Sequence, residues 1–143
     1  MKILGLDPGS KRVGVAISDD LGMTASGLTT LVRTNFKTLL ETIQDLCEQH
    51  GVERIVVGLP KRMDGSLGPE ADRAMALVEA LKEKLKLEVV TWDERFSTIA
   101  VERVLIEADL SRKKRKKVRD KVAAVYILQG YLDSLGSFAP GEP

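Results

Sequence analysis

The chain has 143 residues, 22 Lys/Arg against 21 Asp/Glu and a formal net charge of +1, which suits one folded domain with one site and is too short for two lobes closing on a nucleotide. Hydrophobic residues make up 43% and charged residues 30%, and no uncharged apolar run approaches the roughly 20 residues that a bilayer demands. Met1 to Asp7 is too short an apolar stretch for a secretory signal and no small-residue cleavage site follows it, so a globular cytoplasmic protein is expected.

Lys2 to Asp7 reads as the first strand, with Ile3, Gly5 and Asp7 on one face and Leu4 and Leu6 on the other. Pro8-Gly9-Ser10-Lys11 supplies turn chemistry, Arg12 to Ser18 resumes as a Val/Ile-rich strand, and a turn at Asp19 to Gly22 leads to a third strand within Thr24 to Arg33. An antiparallel meander is therefore expected. From Asn35, a candidate N-cap, the apolar residues Phe36, Leu39, Leu40, Ile43, Leu46 and Cys47 recur at helical spacing up to His50-Gly51. Arg54 to Leu59 predicts a buried strand, Pro60 to Gly68 a loop, and Pro69 opens a helix carrying Ala74, Leu77, Val78, Leu81 and Leu85. Glu88 to Trp92 is the fifth strand. Ser97 caps a helix to about Ala108, a basic loop follows, and a last helix runs from about Val118 to Leu135. The fold class expected is α/β: a five-stranded mixed sheet, antiparallel meander then β-α-β units, with helices on both faces. Residues 1–136 form one domain and residues 137–143 a disordered tail.

Cys47 is the only cysteine, so an internal disulfide and a thiolate metal cluster are both excluded, and its place in a helical apolar pattern favours packing over reactivity. His50, the only histidine, suits a helix end, where an imidazole can meet unpaired carbonyls. Any metal here has to rest on carboxylates and water, which favours hard ions such as magnesium or manganese.

Asp7, Pro60 and the pair Asp93-Glu94 all fall at carboxyl ends of strands, the rim where polar sites collect in such sheets. Asp7 closes an apolar strand, and a carboxylate there is costly to desolvate unless it meets a cation or donors; turn initiation before Pro8-Gly9 is the plainer role. Two carboxylates about 4 Å apart repel by roughly 4 kcal/mol at an effective dielectric of 20, so a cluster at this rim would favour a divalent cation. Helix capping is the plainer role for Asp93 and Glu94. Asp120 suits the positive end of the last helix, yet it shares a face with Ala123, Ala124, Ile127 and Tyr131, and the small Ala123-Ala124 pair permits a close approach that would bring Asp120 beside Asp7.

The near-neutral charge conceals a segregation. Arg112 to Arg119 holds seven basic residues in eight positions, leaving 15 of the 22 basic residues against 21 acidic ones elsewhere. Lying just before Asp120, this run suits a polyanion anchor over the acidic rim better than a merely solvated face. Trp92 and Phe96 could stack on an unpaired base, but core packing is favoured in a chain with so few aromatics.

Four blocks, Asp7-Pro8-Gly9-Ser10-Lys11-Arg12-Val13-Gly14-Val15-Ala16, Gly58-Leu59-Pro60-Lys61-Arg62-Met63-Asp64-Gly65, Asp93-Glu94-Arg95-Phe96-Ser97-Thr98 and Asp120-Lys121-Val122-Ala123-Ala124, resemble in that order the YqgF family, also called RuvX-like. The resemblance spans residues 7–124 and implies a ribonuclease H-like fold, kinship with Holliday-junction resolvases and a nuclease acting in 5′-end maturation of pre-16S ribosomal RNA. It carries the catalytic, metal-holding acids onto Asp7, Glu94 and Asp120, with Asp93 open as the alternative to Glu94. Junction resolvases place an acid at the end of the fourth strand, whereas here that strand ends Gly58-Leu59-Pro60-Lys61, so resolvase activity does not transfer directly.

The chemistry expected is phosphodiester hydrolysis with two magnesium or manganese ions bridged by Asp7, which needs no protein general base. Gly9 and Ser10 would let a phosphate approach the turn, unless they merely close the hairpin. Lys11, Arg12, Lys61, Arg62, Arg95 and the run Arg112, Lys113, Lys114, Arg115, Lys116, Lys117 and Arg119 would hold the nucleic-acid backbone. RNA, with a ribosome precursor as a candidate partner, is favoured over structured DNA; monomer and homodimer both fit. The competing readings are a junction resolvase, a non-catalytic RNA-binding assembly factor, and an actin-like or sugar-kinase-like ATPase, against which the single lobe argues.

Overall fold

The computed structural model describes residues 1–60, 64–94 and 112–136, with side chains in the last segment from Lys121 onward. Five strands, β1 (Ile3–Pro8), β2 (Arg12–Ser18), β3 (Ala25–Val32), β4 (Arg54–Leu59) and β5 (Glu88–Asp93), form one sheet in the order β3-β2-β1-β4-β5. The first three are antiparallel neighbours, while β4 pairs parallel with β1 and β5 parallel with β4. Helices α1 (Phe36–His50), α2 (Pro69–Lys84) and α3 (Arg112–Gly136) complete the described elements. The expected mixed sheet is present, and the expected helix from Ser97 to Ala108 and the tail at 137–143 lie outside the described residues.

Alternation along the strands divides the core into two layers. Leu4, Leu6, Val13, Val15, Ile55, Val57 and Val89 pack with Leu39, Ile43 and Cys47 of α1 and with Ala74, Leu77, Val78 and Leu81 of α2. Ile3, Ala16 and Val56 meet Ala123, Ala124, Ile127 and Leu128 of α3 on the other face. Small residues let that second interface close tightly at Gly5 and Ala124. A Cβ on Gly5 would lie 2.7 Å from Leu128 Cβ and 3.4 Å from the Ala124 carbonyl oxygen, so the helix rests almost on the strand backbone. Lys121 is exposed, but its aliphatic stem lies over Gly27 of β3, where a Cβ would stand 2.7 Å from its Cγ. Trp92 packs edge-on to Tyr131, ring centroids 6.1 Å apart, and its Nε1 would be 3.0 Å from a Cβ on Gly130; this is the core role favoured from sequence.

The termini of α1 follow the sequence signals. Asn35 is extended at φ −150°, and its side chain accepts from the Thr38 N–H at 3.1 Å. Gly51 closes the helix at φ 67°, a left-handed conformation that favours glycine. Asn35→Ala is expected to cost about 1 kcal/mol, read as a lowered urea midpoint with an unchanged slope. Cys47 is buried, and its thiol is pushed up to about 11 by burial and then by the charge of Glu48, in keeping with a packing role.

The last helix corrects the expectation of a basic loop ending near Val118. It begins at Arg112, so Arg112 to Arg119 are its first turns. The run contains no glycine or proline, Lys and Arg are good helix formers, and like-charge pairs one turn apart cost only a few tenths of a kcal/mol each. Among the described residues no helix is long and apolar enough to cross a membrane.

Candidate active site

Asp7 is 7% exposed in the penultimate position of β1, and it continues the series Ile3, Gly5 that faces α3. Its neighbours across the sheet are small. Gly14 of β2 is its antiparallel partner. On the other side the parallel register pairs Leu6 with Val57, which brings Gly58 alongside Asp7. A hydrogen bond from the Gly9 N–H to the Asp7 carbonyl at 3.0 Å tightens the following turn. Gly9 is needed by that turn itself, because a Cβ would lie 2.7 Å from the Arg12 carbonyl oxygen. This is the hairpin-closing role weighed from sequence.

Glu94 follows the end of β5. The side chains of Val90 and Trp92 pack toward α3, and Glu94 continues that alternation, whereas Val89 and Asp93 belong to the opposite face. Gly58 pairs with Trp92, and a Cβ there would stand 3.0 Å from Glu94 Oε1 and 2.4 Å from Ile127 Cδ1. The carboxylate of Glu94 therefore reaches back over Gly58, on the same face and beside the strand that carries Asp7. The missing side chain at 58 is what leaves room. Of the two acids left open by the sequence, the geometry brings Glu94 to Asp7's side of the sheet.

Asp120 belongs to α3, and its side chain lies outside the described residues. Its backbone position is informative. Ala124 and Leu128 lie over Gly5 and Leu132 packs in the layer of Ile3, so α3 runs antiparallel to β1 and residue 120 falls one turn nearer the rim than Ala124. The preceding basic turns extend further in that direction, about 12 Å of helix over eight residues. Lys11 is exposed and Arg12 half-buried at the β1–β2 turn. The placements expected for Lys61, Arg62, Arg95, Phe96 and the side chains of Arg112 to Arg119 lie outside the described residues. Among the described residues no three His, Cys, Asp or Glu side chains gather closely enough to hold an ion. The donor chemistry of Asp7 and Glu94, oxygen only, nonetheless fits a hard divalent cation.

Two arginines escaped the sequence reading. Arg33, just after β3, donates from Nε to the Gly9 carbonyl at 2.9 Å and from its backbone N–H to the Lys11 carbonyl at 2.9 Å, tying the β1–β2 turn to the sheet. Burial, and then the positive charge of Arg73 in α2, hold its pKa below the ordinary arginine value. A lone arginine beyond an amphipathic strand gives no such signal in sequence.

The family model described as RuvX, Holliday junction resolvase, matches residues 1–134. A protein of Clostridium tetani provisionally named a pre-16S rRNA nuclease is 52% identical over 135 residues, covering 94% of this chain and 98% of the relative. A Clostridium botulinum protein of the same name is 53% identical with the same coverage. Among solved structures, the Thermus thermophilus RuvC complex with a Holliday junction superposes with a TM-score of 0.58 at 12% identity, over 96% of this chain and 97% of that one. The fowlpox virus resolvase bound to junction DNA gives 0.56 at 14% identity, over 94% and 99%. The two structures share the fold, which is ribonuclease H-like. The near-complete family match and the clostridial relatives together show that this chain belongs to the RuvX family.

Proposed function

We propose that this chain is a metal-dependent nuclease that hydrolyses phosphodiester bonds during 5′-end maturation of pre-16S ribosomal RNA. The observation that carries the reading is the convergence of a buried Asp7 and the Glu94 carboxylate across Gly58, on the face covered by α3. Asp7 is the fixed ligand, held by a strand paired on both sides. Glu94 is the adjustable one, on the longer side chain. Asp120 completes the set from the third turn of α3. Asp7, Glu94 and Asp120 would hold a divalent ion, which would supply acidification of a water and charge neutralisation at the leaving oxygen. The protein's own part is to hold the carboxylates against mutual repulsion, to seal their inner side with Ile127 and Leu128, and to leave the rim open to a strand.

RNA is preferred because the relatives at 52% and 53% identity carry the ribosomal name, whereas the resolvases share only the fold. The basic turns of α3 supply backbone affinity, with magnesium or manganese as the ion. The test is cleavage of a pre-16S 5′ leader RNA by the purified chain with magnesium, with EDTA, and against a four-way DNA junction. Metal-dependent cutting of the leader and little of the junction is expected; the converse preference would make this a resolvase. Replacing Lys113, Lys114, Lys116 and Lys117 by Gln, which preserves helix propensity, is expected to flatten the salt dependence of RNA binding by about 0.7 in log–log slope for each phosphate no longer neutralised. Cleavage that persists with EDTA would overturn the proposal.

A further inference from the structure

β3 runs parallel to β1, so its carboxyl end, with Arg33, lies at the same rim as Asp7. The connection from β4 also emerges there, and α2 starts from it, so Arg73 in the second turn of α2 belongs to that rim as well. Arg33 continues the alternation of Leu31, which packs in the layer of α1 and α2. The two arginines thus share this rim, Arg33 directly under the Gly9 carbonyl, on the side of the sheet opposite the acids.

This pair is electrostatically unresolved. Both side chains are half-buried, and burial and then the positive charge of Arg73 disfavour the charged form of Arg33. Neither forms an ion pair among the described residues, where Lys2 pairs with Asp20 and Arg54 with Glu88. Glu70 and Asp72 stand in the first turn of α2 but are exposed and pair with neither arginine. Arg33 Nη2 and Arg73 Nε are buried and meet no acceptor among the described residues. Buried donors without acceptors are destabilising, the more so when charged. A phosphate at the accessible edges of these two half-buried guanidinium groups would accept from both and offset their like charge.

We propose that Arg33 and Arg73 form a phosphate-binding subsite beneath the Gly9 turn, which takes a backbone phosphate of the strand engaged at Asp7. The subsite rests on the nucleic-acid reading but is separable from cleavage. Arg33 has a second duty in holding the Gly9 carbonyl, so Arg73→Gln is the cleaner variant and Arg33→Lys, which keeps the charge, the companion.

Two measurements on the full chain test the subsite. Inorganic phosphate, titrated at constant ionic strength against chloride, is expected to raise the thermal midpoint of the parent but not of Arg73→Gln, with Arg33→Lys intermediate. A labelled single-stranded RNA is expected to bind Arg73→Gln roughly tenfold more weakly at low salt, with a log–log salt slope shallower by about 0.7. Loss of phosphate stabilisation with an unchanged RNA slope supports the subsite and makes free phosphate its ligand. Equal behaviour of parent and Arg73→Gln in both measurements overturns it, because a merely structural arginine would shift the midpoint but not its response to phosphate. If both effects appear while the parent cuts no nucleic acid, the subsite stands and the nuclease reading fails.

Discussion

Asp7→Asn is expected to slow magnesium-dependent cleavage of the leader RNA by about a thousandfold, about 4 kcal/mol in barrier, while leaving the protein folded. The substitution keeps the shape of the side chain and removes its charge. Asp7 is 7% exposed and shares its face with the Glu94 carboxylate over Gly58, so its charge is held partly desolvated and against a like charge. Its removal should leave stability unchanged or raise it by about 1 kcal/mol, roughly 2–4 °C in thermal midpoint for a chain of this size. A site kept for chemistry and a site kept for the fold thus separate in opposite directions. Single-turnover rates and melting curves on the same preparations decide between them: parental cutting by Asp7→Asn removes Asp7 from the chemistry, and an unfolded variant makes it structural.

Gly58→Ala should be the most damaging change made with a single methyl group. The new Cβ would stand 2.4 Å from Ile127 Cδ1, in a fully buried layer, and 3.0 Å from Glu94 Oε1. Overpacking of this kind costs about 1–3 kcal/mol, and relief on one side must come from moving the Glu94 carboxylate away from Asp7. A fall in both stability and cleavage rate is therefore expected. Adding Ile127→Val removes the Cδ1 atom and should restore much of the stability, but not the rate, because the Glu94 conflict remains. Recovery of stability and rate together would show that Glu94 is not displaced and that helix packing alone was at fault.

The contrast between Asp93 and Glu94 shows where sequence reading stops. Period-two alternation is legible within β5, but adjacent acids at a strand end differ only in which face they take, and a shift of one residue exchanges them. The register of β5 against β4, Gly58 with Trp92 and Leu59 with Asp93, supplies the missing fact. The strands, α1 and the start of α2 were readable because caps, turns and apolar spacing agreed. The basic run misled for the opposite reason: charge density suggested a loop, whereas helix propensity and continuity with the packed part of α3 carry the helix through to Arg112. Arg33 was invisible because its partners, Gly9 and Arg73, lie 24 and 40 positions away along the chain and meet only through the sheet.

The packing of α3 also bears on the order in which the molecule is made. The Ala25 N–H of β3 donates to Gln129 Oε1 across 104 positions, and Gly5 is covered by Leu128. Synthesis from the N-terminus therefore produces Asp7 long before its cover. At about 5–20 residues per second the strand with the buried acid waits several seconds, its α3 face still wet, before the helix that encloses it emerges. Pairings of such long separation are slow to close. The nascent chain passes through a stage in which the α1 and α2 layer can condense while the acid-bearing face has yet to be assembled.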